Sequence, residues 1–458
     1  MSAVAPPVAA DLGPAATRVD EPAAPGFRQW YLIAVLMLAY TASFIDRQVL
    51  NLLVEPLKAS FDLDDTRLSL LQGLAFTGGY ILFSPVFGRL ADVGSRRAIL
   101  FMGVGIWSVA TSLCGLSQSY RQLFLARFGV GAAEACLTPA AWSIIADSFP
   151  ARLIPRAFSI YMMGPYIGGG LALIFGGLLL DSAAGWDLTD LPLVGTLQPW
   201  QVVFICAGLP GLLIAAMLLA VREPPRREIA AVASQDRIPM AEVWRLFRDR
   251  RDFYLNFYAG MALLVITLYA FPAWMPAMLI RQFGMAAGDV GLRYGAAVLV
   301  TGSLGVLAGP WIAGQVERRG RADALMLVPF AACFALIGIS SALLIAPSPA
   351  AALAIATLAS FAYSIPQALA SSALQLVTPN RMRGIASAVY VFAVSVTGLG
   401  AAPTIVAVLT DYVFADPAMV GRSLALTCAG ASLLSAIFLW RALRGYRRLL
   451  RIDAGQAR

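Results

Sequence analysis

Two pairs of charged residues interrupt otherwise apolar runs in this sequence. The stretch YTASFIDRQVLNLLVEPLK, residues 40–58, sets Asp46 beside Arg47. Further along, RFGVGAAE, residues 127–134, carries Arg127 and Glu134. A charge at mid-bilayer costs roughly 2.5–3.5 kcal/mol on insertion scales, and charges that persist there usually serve transport or proton transfer. Arg127 and Glu134 are separated by about two helical turns, so they share one face. Arginine's planar fork binds two oxygens at once and suits a phosphate or carboxylate. A carboxylic acid in a dry cavity can carry a proton. The chain has no histidine, so a proton carrier must be acidic, Asp46 or Glu134. The plainer alternative is a brace of two ion pairs that only fixes helix register; desolvation offsets much of the attraction in such pairs.

These residues need helices to carry them. Hydrophobic side chains make up 59% of the 458 residues, charged ones 13%, and the mean hydropathy is +0.74. A soluble domain carries about 25% charged residues. Apolar runs begin near residues 30, 68, 98, 122, 157, 201, 253, 290, 323, 351, 384 and 422. Each is about long enough to cross a bilayer core. The expected fold is an all-α integral membrane protein with twelve transmembrane helices. Residues 1–27 lack the basic and apolar regions of a signal peptide and are expected to form a disordered cytoplasmic tail.

Basic residues set the orientation. Lys58 is the sole lysine, and most arginines crowd into alternate loops. The opposite loops hold few bases but several acids, among them Asp62, Asp64, Asp65, Asp181 and Asp411. The positive-inside rule then places both termini in the cytoplasm of a bacterial inner-type membrane. The net charge of +8 is thus a topology signal, and no nucleic-acid partner is expected. The five cysteines are scattered without CxxC spacing, so no metal, cofactor or disulfide framework is expected. Without histidine or a nucleophile–base pair there is no catalytic residue to propose, and the chain does not read as an enzyme.

The longest connection, residues 222–252, separates a first bundle over residues 28–221 from a second over 253–445. A basic cytoplasmic tail is expected over 446–458. Within the connection, Met240, Val243, Trp244 and Phe247 follow the i, i+3, i+4, i+7 spacing of an amphipathic surface helix. The bundles repeat one another. GRLADVGSRRA, residues 88–98, aligns with PWIAGQVERRG, residues 310–320, and each follows the second span of its half. FPARLIPRA and TPNRMRG stand before the fifth span of each half. Transporters built from such repeats place substrate between the halves near the midplane and alternate access by rocking.

GRLADVGSRR resembles the signature loop of the major facilitator superfamily, with Gly88, Leu90, Ala91, Asp92, Arg96 and Arg97 in register. Val93 and Ser95 depart from it, and Gly314 stands where the second copy would carry Asp. RFGVGAAEA resembles the superfamily's fourth-span motif. FIDRQVLNLLVEPLK, the Arg127–Glu134 pair and Asp147–Pro150 resemble the spinster family. An Asp-Arg pair in the first span is also similar to organic anion symporters of the same superfamily. MGPYIGGG, residues 163–170, resembles a superfamily antiporter element. The resemblance implies two pseudo-symmetric six-helix bundles, with Gly88, Asp92, Arg96 and Arg97 locking the halves together when the outside is open. It also implies that spans 1 and 4 adjoin. At 1.5 Å per residue, the four charges then fall in one depth band, compatible with Asp46 facing Arg127 and Arg47 facing Glu134, with the swapped pairing left open. The spinster resemblance implies a proton-coupled carrier of a lysophospholipid or a sphingosine phosphate-like molecule.

On this basis, Asp46 is expected to titrate and Arg47 and Arg127 to meet an anionic head, with Glu134 coupling the two. The second bundle's span cores lack charge and offer mild polar groups, including Tyr269, Tyr363 and Gln367. Tyr363 and Gln367 are the expected substrate contacts there. Pro272 and Pro276 are expected to bend span 7 into an outer gate plugged by Trp274. The reading is thus a monomeric transporter moving a small amphipathic anion through a lipid bilayer with protons as the coupling ion. The alternative is a proton-coupled symporter of a small organic anion.

Overall fold

The computed structural model describes residues 26–150, 153–189, 195–225, 240–379 and 382–456. Among the described residues, twelve helices are long and apolar enough to cross a membrane. Spans 1–6 are Phe27–Leu52, Asp65–Ala91, Arg96–Cys114, Tyr120–Ser148, Arg156–Ala183 and Pro199–Leu219. Spans 7–12 are Arg251–Phe283, Ala287–Arg318, Ala324–Ile345, Pro349–Val377, Arg383–Phe414 and Pro417–Leu450. Each begins close to its expected position. Serine hydroxyls start three of them. Ser95, Ser119 and Ser348 accept hydrogen bonds from the amides of Ala98, Gln122 and Ala351, as N-caps do.

Two expectations fall partly outside the described residues: the tail up to residue 25, and residues 226–239 of the connection. The surface helix is present over Met240–Asp249. The final helix runs Val420–Gln456, so much of the stretch read as a basic tail continues span 12. Arginines there are tied back to the bundle: Arg447 Nε donates to Asp323 Oδ2 at 2.6 Å and Arg448 Nη1 to Asp252 Oδ2 at 3.2 Å. Asp323 lies outside the spans. Partial burial opposes its charge, but the hydrogen bonds from Arg321 and Arg447 outweigh this and hold its pKa below the ordinary value.

The first six spans pack mainly on one another, as do the last six. Between the bundles, span 5 lies along span 8, span 2 meets span 11, and span 1 touches span 7. Small residues allow these crossings. A Cβ on Gly291 would come within 2.2 Å of the Leu173 carbonyl, and one on Gly73 within 2.5 Å of the Gly400 carbonyl. Spans 8 and 11 carry π-helical turns there, Val298–Gly302 and Ser395–Ala401. Such turns leave a helix locally wide and often mark functional positions.

Polar contacts between the bundles gather at the end away from the termini, called distal here. Arg281 Nε donates to Glu55 at 2.6 Å, and both Arg281 Nη atoms donate to Asp65 at 2.7 Å. Lys58 also pairs with Asp65. The Thr66 amide and hydroxyl both donate to Asp411 at 2.6 Å. Gly288 N donates to Asp181 at 2.9 Å. Asp65 is fully buried, so this forked guanidinium–carboxylate pair is charge-assisted and shielded from water. It closes the distal side. Asp65→Asn is expected to release that side. Spin labels at Ser182 and Asp289, exposed at the distal ends of spans 5 and 8, should then show a longer-distance population that the parent protein lacks. An unchanged distance distribution would mean that the pair does not hold the bundles shut.

Candidate substrate and proton site

Span 4 is helical over Tyr120–Glu134, breaks at Ala135 and Cys136, and resumes over Leu137–Ser148. Glu134 therefore ends one helical segment, two turns below Arg127 on the same face. Span 1 brings Asp46 and Arg47 against it. The four charges meet in the arrangement that their depths allow. Arg47 pairs with Glu134, and its Nε donates to Glu134 Oε2 at 2.9 Å. Arg127 Nη1 donates to the Asp46 backbone carbonyl at 3.1 Å and stands 3.9 Å from Asp46 Oδ1.

The two pairs are held differently. Arg47 has a direct carboxylate partner and a lining of aromatic rings. Its Cζ lies 4.4 Å from the Phe76 ring centre, 4.8 Å from Phe44 and 5.6 Å from Tyr80. Ring faces attract a desolvated guanidinium by about 2 kcal/mol or more. Phe76 also lies 5.7 Å from the Arg127 Cζ, so one ring sits between both cations. Asp46 is held by Thr111, whose hydroxyl donates to Oδ2 at 2.6 Å. Asp46 Oδ1 and Arg127 Nε are buried and find no hydrogen-bond partner among the described residues. Glu134 Oε1 is likewise buried without a hydrogen-bond partner among the described residues, so both pairs keep bonding capacity to spare.

Exposure separates the four as well. The side chains of Asp46, Arg127 and Glu134 are at most 3% exposed, whereas Arg47 is 13% exposed. Arg47 opens onto a cavity of about 30 Å³ between the bundles, where Gln48 and Gln72 face Tyr269, Leu399 and Pro403. That volume suits a water, not a lipid head.

The other expected residues lie elsewhere. Tyr363 is buried inside the second bundle, with its ring 6.5 Å from Phe271. Gln367 Nε2 donates back to the Tyr363 carbonyl at 3.4 Å. Neither is brought to Arg47 in this conformation; Tyr269 is. Trp274 is fully buried and donates to the Pro403 carbonyl at 2.9 Å, within its own bundle. Pro272 and Pro276 sit inside the unbroken helix Arg251–Phe283. Gln72 crosses from the first bundle to the Ala273 carbonyl at 3.2 Å.

At the terminal side, Arg96 is buried and saturated by its own half and the connection. It pairs with Asp147 and donates to Ser143 Oγ at 2.8 Å, to Glu223 Oε1 at 3.0 Å and to the Pro224 carbonyl at 2.9 Å. Partial burial opposes the Glu223 charge, but hydrogen bonds from Ser95 and Arg96 outweigh it and lower its pKa. Arg97 reaches the Val221 carbonyl at 3.4 Å. A Cβ on Gly88 would meet nothing. The Asp92 side chain lies outside the described residues.

Thr111, Phe76, Asp65 and Arg281 were not singled out by the sequence reading. A threonine and a phenylalanine in apolar spans look like packing residues. Arg281 and Asp65 did carry a signal: a base on the base-poor side, among acids.

A family model described as Major Facilitator Superfamily matches residues 36–403. The chain belongs to the major facilitator superfamily. It is a secondary transporter, not an enzyme, and it is spinster-like. An MFS-type efflux pump from Mycolicibacterium smegmatis is 30% identical over 427 residues, 92% of this chain and 94% of that protein. Human protein spinster homolog 1 is 27% identical over 319 residues, 65% of this chain and 57% of that protein. The crystal structure of a bacterial homolog to the human lysosomal transporter spinster, inward-facing and occupied, superposes with a TM-score of 0.74 at 26% identity. It covers 93% of this chain and 98% of that one. A D-xylose–proton symporter at 16% identity and a TM-score of 0.66 shares the fold.

Removing one partner of a buried ion pair strands the other charge and costs about 3–5 kcal/mol. Glu134→Gln is therefore expected to lower the thermal midpoint markedly. The double variant Arg47→Gln/Glu134→Gln should recover most of the loss. Additive losses in this double-mutant cycle would show that the pair is not coupled.

Proposed function

We propose that this protein moves an amphipathic anionic lipid, such as a lysophospholipid or a sphingosine phosphate-like molecule, coupled to protons. The supporting observation is the buried set Asp46, Arg47, Arg127 and Glu134, whose accessible member, Arg47, faces a second bundle lined there by Tyr269, Leu399 and Pro403. An anionic head suits the charged wall and an acyl tail the apolar one.

The residues suggest a sequence of events. A negative head beside Arg47 competes with Glu134 for the guanidinium. Glu134, losing its cation, turns toward Arg127, the other buried base of the set. Arg127 then loosens from Asp46. A carboxylate that loses a cation takes up a proton more readily, and Asp46, like Glu134, has a buried oxygen with no hydrogen-bond partner among the described residues to receive one. Head-group binding and proton binding are thus linked through two arginines shared by two acids. Parting the Arg281–Asp65 latch exposes the site distally. The excess of arginine on the terminal side supports a cytoplasmic placement of both ends in a bacterial inner-type membrane. The similarity to spinster homologues supports the lipid class. The small organic anion remains the competing substrate class, favoured by the water-sized cavity beside Arg47.

Flux in proteoliposomes tests this reading. Labelled lysophosphatidylglycerol uptake should follow an imposed pH gradient and reverse when the gradient is reversed. Asp46→Asn should abolish the gradient dependence. Flux that ignores the gradient in both proteins would demote the four charges to a brace. Competition by small carboxylates, with no lysolipid flux, would favour the organic anion reading.

A further inference from the structure

The surface helix Met240–Asp249 leaves a slot where it meets the start of span 7. The slot holds about 360 Å³ and is almost entirely apolar. Its floor is Phe247, Tyr254 and Tyr258, clustered with ring centres 4.8–6.1 Å apart. Trp244 and Leu255 line its mouth and are 71% and 67% exposed. Arg248 and Arg251 complete it.

The walls of this slot are pinned from behind. Tyr254 Oη lies 3.0 Å from the Thr378 hydroxyl, and Tyr258 donates to the Ala386 carbonyl at 3.1 Å. Arg250 donates to the Val377 carbonyl at 2.7 Å. The surface helix meets the start of span 7, and that start is bonded in turn to the ends of spans 10 and 11, so the cleft between them is a built feature.

We infer that this slot binds an anionic phospholipid of the bilayer, with one acyl chain on the aromatic floor and the phosphate between Arg248 and Arg251. The chemistry that selects this occupant is a bipolar lining. Span 7 begins at Arg251, so the two arginines stand at the level of the head groups while Tyr258 and Leu255 lie one to two turns deeper. Arg251 makes no ion pair among the described residues. Among the described residues Arg248 pairs only with Asp249, at 3.7 Å and largely exposed, an ion pair worth little in water. The nearby Asp252 carboxylate is shared with Arg448 in an equally exposed pair at 3.2 Å. Exposed Arg245 adds further positive charge. A zwitterionic lipid would fill the apolar floor equally well but leave the arginines without a net negative partner. Anionic surfaces attract each arginine by a factor of about five. This site is separate from Arg47, and its occupant belongs to the membrane, not to the transported cargo.

Brominated lipids quench nearby tryptophan and test the inference. The protein is reconstituted in phosphatidylcholine containing a minor fraction of brominated phosphatidylglycerol or brominated phosphatidylcholine. The Trp244 signal is taken as the difference from Trp244→Phe. Brominated phosphatidylglycerol should quench it selectively at equal mole fraction. Arg248→Gln/Arg251→Gln changes only exposed side chains and should fold normally. It should lower the preference roughly fivefold per arginine removed, while quenching by brominated phosphatidylcholine stays unchanged. Equal quenching by both lipids in the parent protein would overturn the inference, leaving an ordinary greasy contact. So would a preference that survives removal of both arginines.

Discussion

A charge inside a lipid-filled environment must find its opposite. Single buried ions cost several kcal/mol even after relaxation, so this chain admits them in balanced sets. Asp46 and Glu134 offset Arg47 and Arg127 in the first bundle, and Arg281 and Lys58 offset Asp65 and Glu55 at the distal seam. Balance makes the fold tolerable. It also makes it responsive, because a fifth charge entering the first set cannot be accommodated without a carboxylate changing partner or proton. Transport by such a site is a problem in sharing cations.

The two sets divide the work. The set of Asp46, Arg47, Arg127 and Glu134 lies within one bundle, so the bundles can rock without breaking it. The distal set crosses between bundles and must break for the far side to open. The close contacts of spans 5 with 8 and 2 with 11, at Gly291 and Gly73, sit on the same seam and separate with it. On the terminal side, Arg96 is satisfied by Asp147 and Glu223 and makes no demand on the other bundle. The connection thus anchors to the signature loop through Glu223, a link between a surface segment and the moving interface.

Much of this was legible in the sequence. Span positions follow from hydropathy, since a bilayer tolerates little else over some twenty residues. Helical rise and the two-turn spacing in span 4 put the four charges in one depth band, but that spans 1 and 4 adjoin came from the family resemblance. The choice of Asp46 with Arg127 and Arg47 with Glu134 over the swapped pairing came from the structure. The rest depended on helix rotation and on contacts distant in sequence. Tyr363 and Tyr269 are equally plausible on paper, but span 7 turns Tyr269 toward Arg47 while span 10 buries Tyr363 inside the bundle. Thr111 is one small polar residue in an apolar span, with nothing local to mark it as the Asp46 partner. Arginines after residue 445 read as a tail because they are basic, yet Asp323 and Asp252 hold them to a helix that continues.

The central claim is that an anionic head and a proton bind interdependently through these four charges. The most direct measurement is the proton change on ligand binding in weakly buffered detergent solution. Lysophosphatidylglycerol is suitable because its phosphate stays ionised at neutral pH. The account predicts proton uptake as the lipid binds to the parent protein, and none with Asp46→Asn although the lipid still binds. Binding to the parent protein without any proton change, or equal uptake in both proteins, would contradict it.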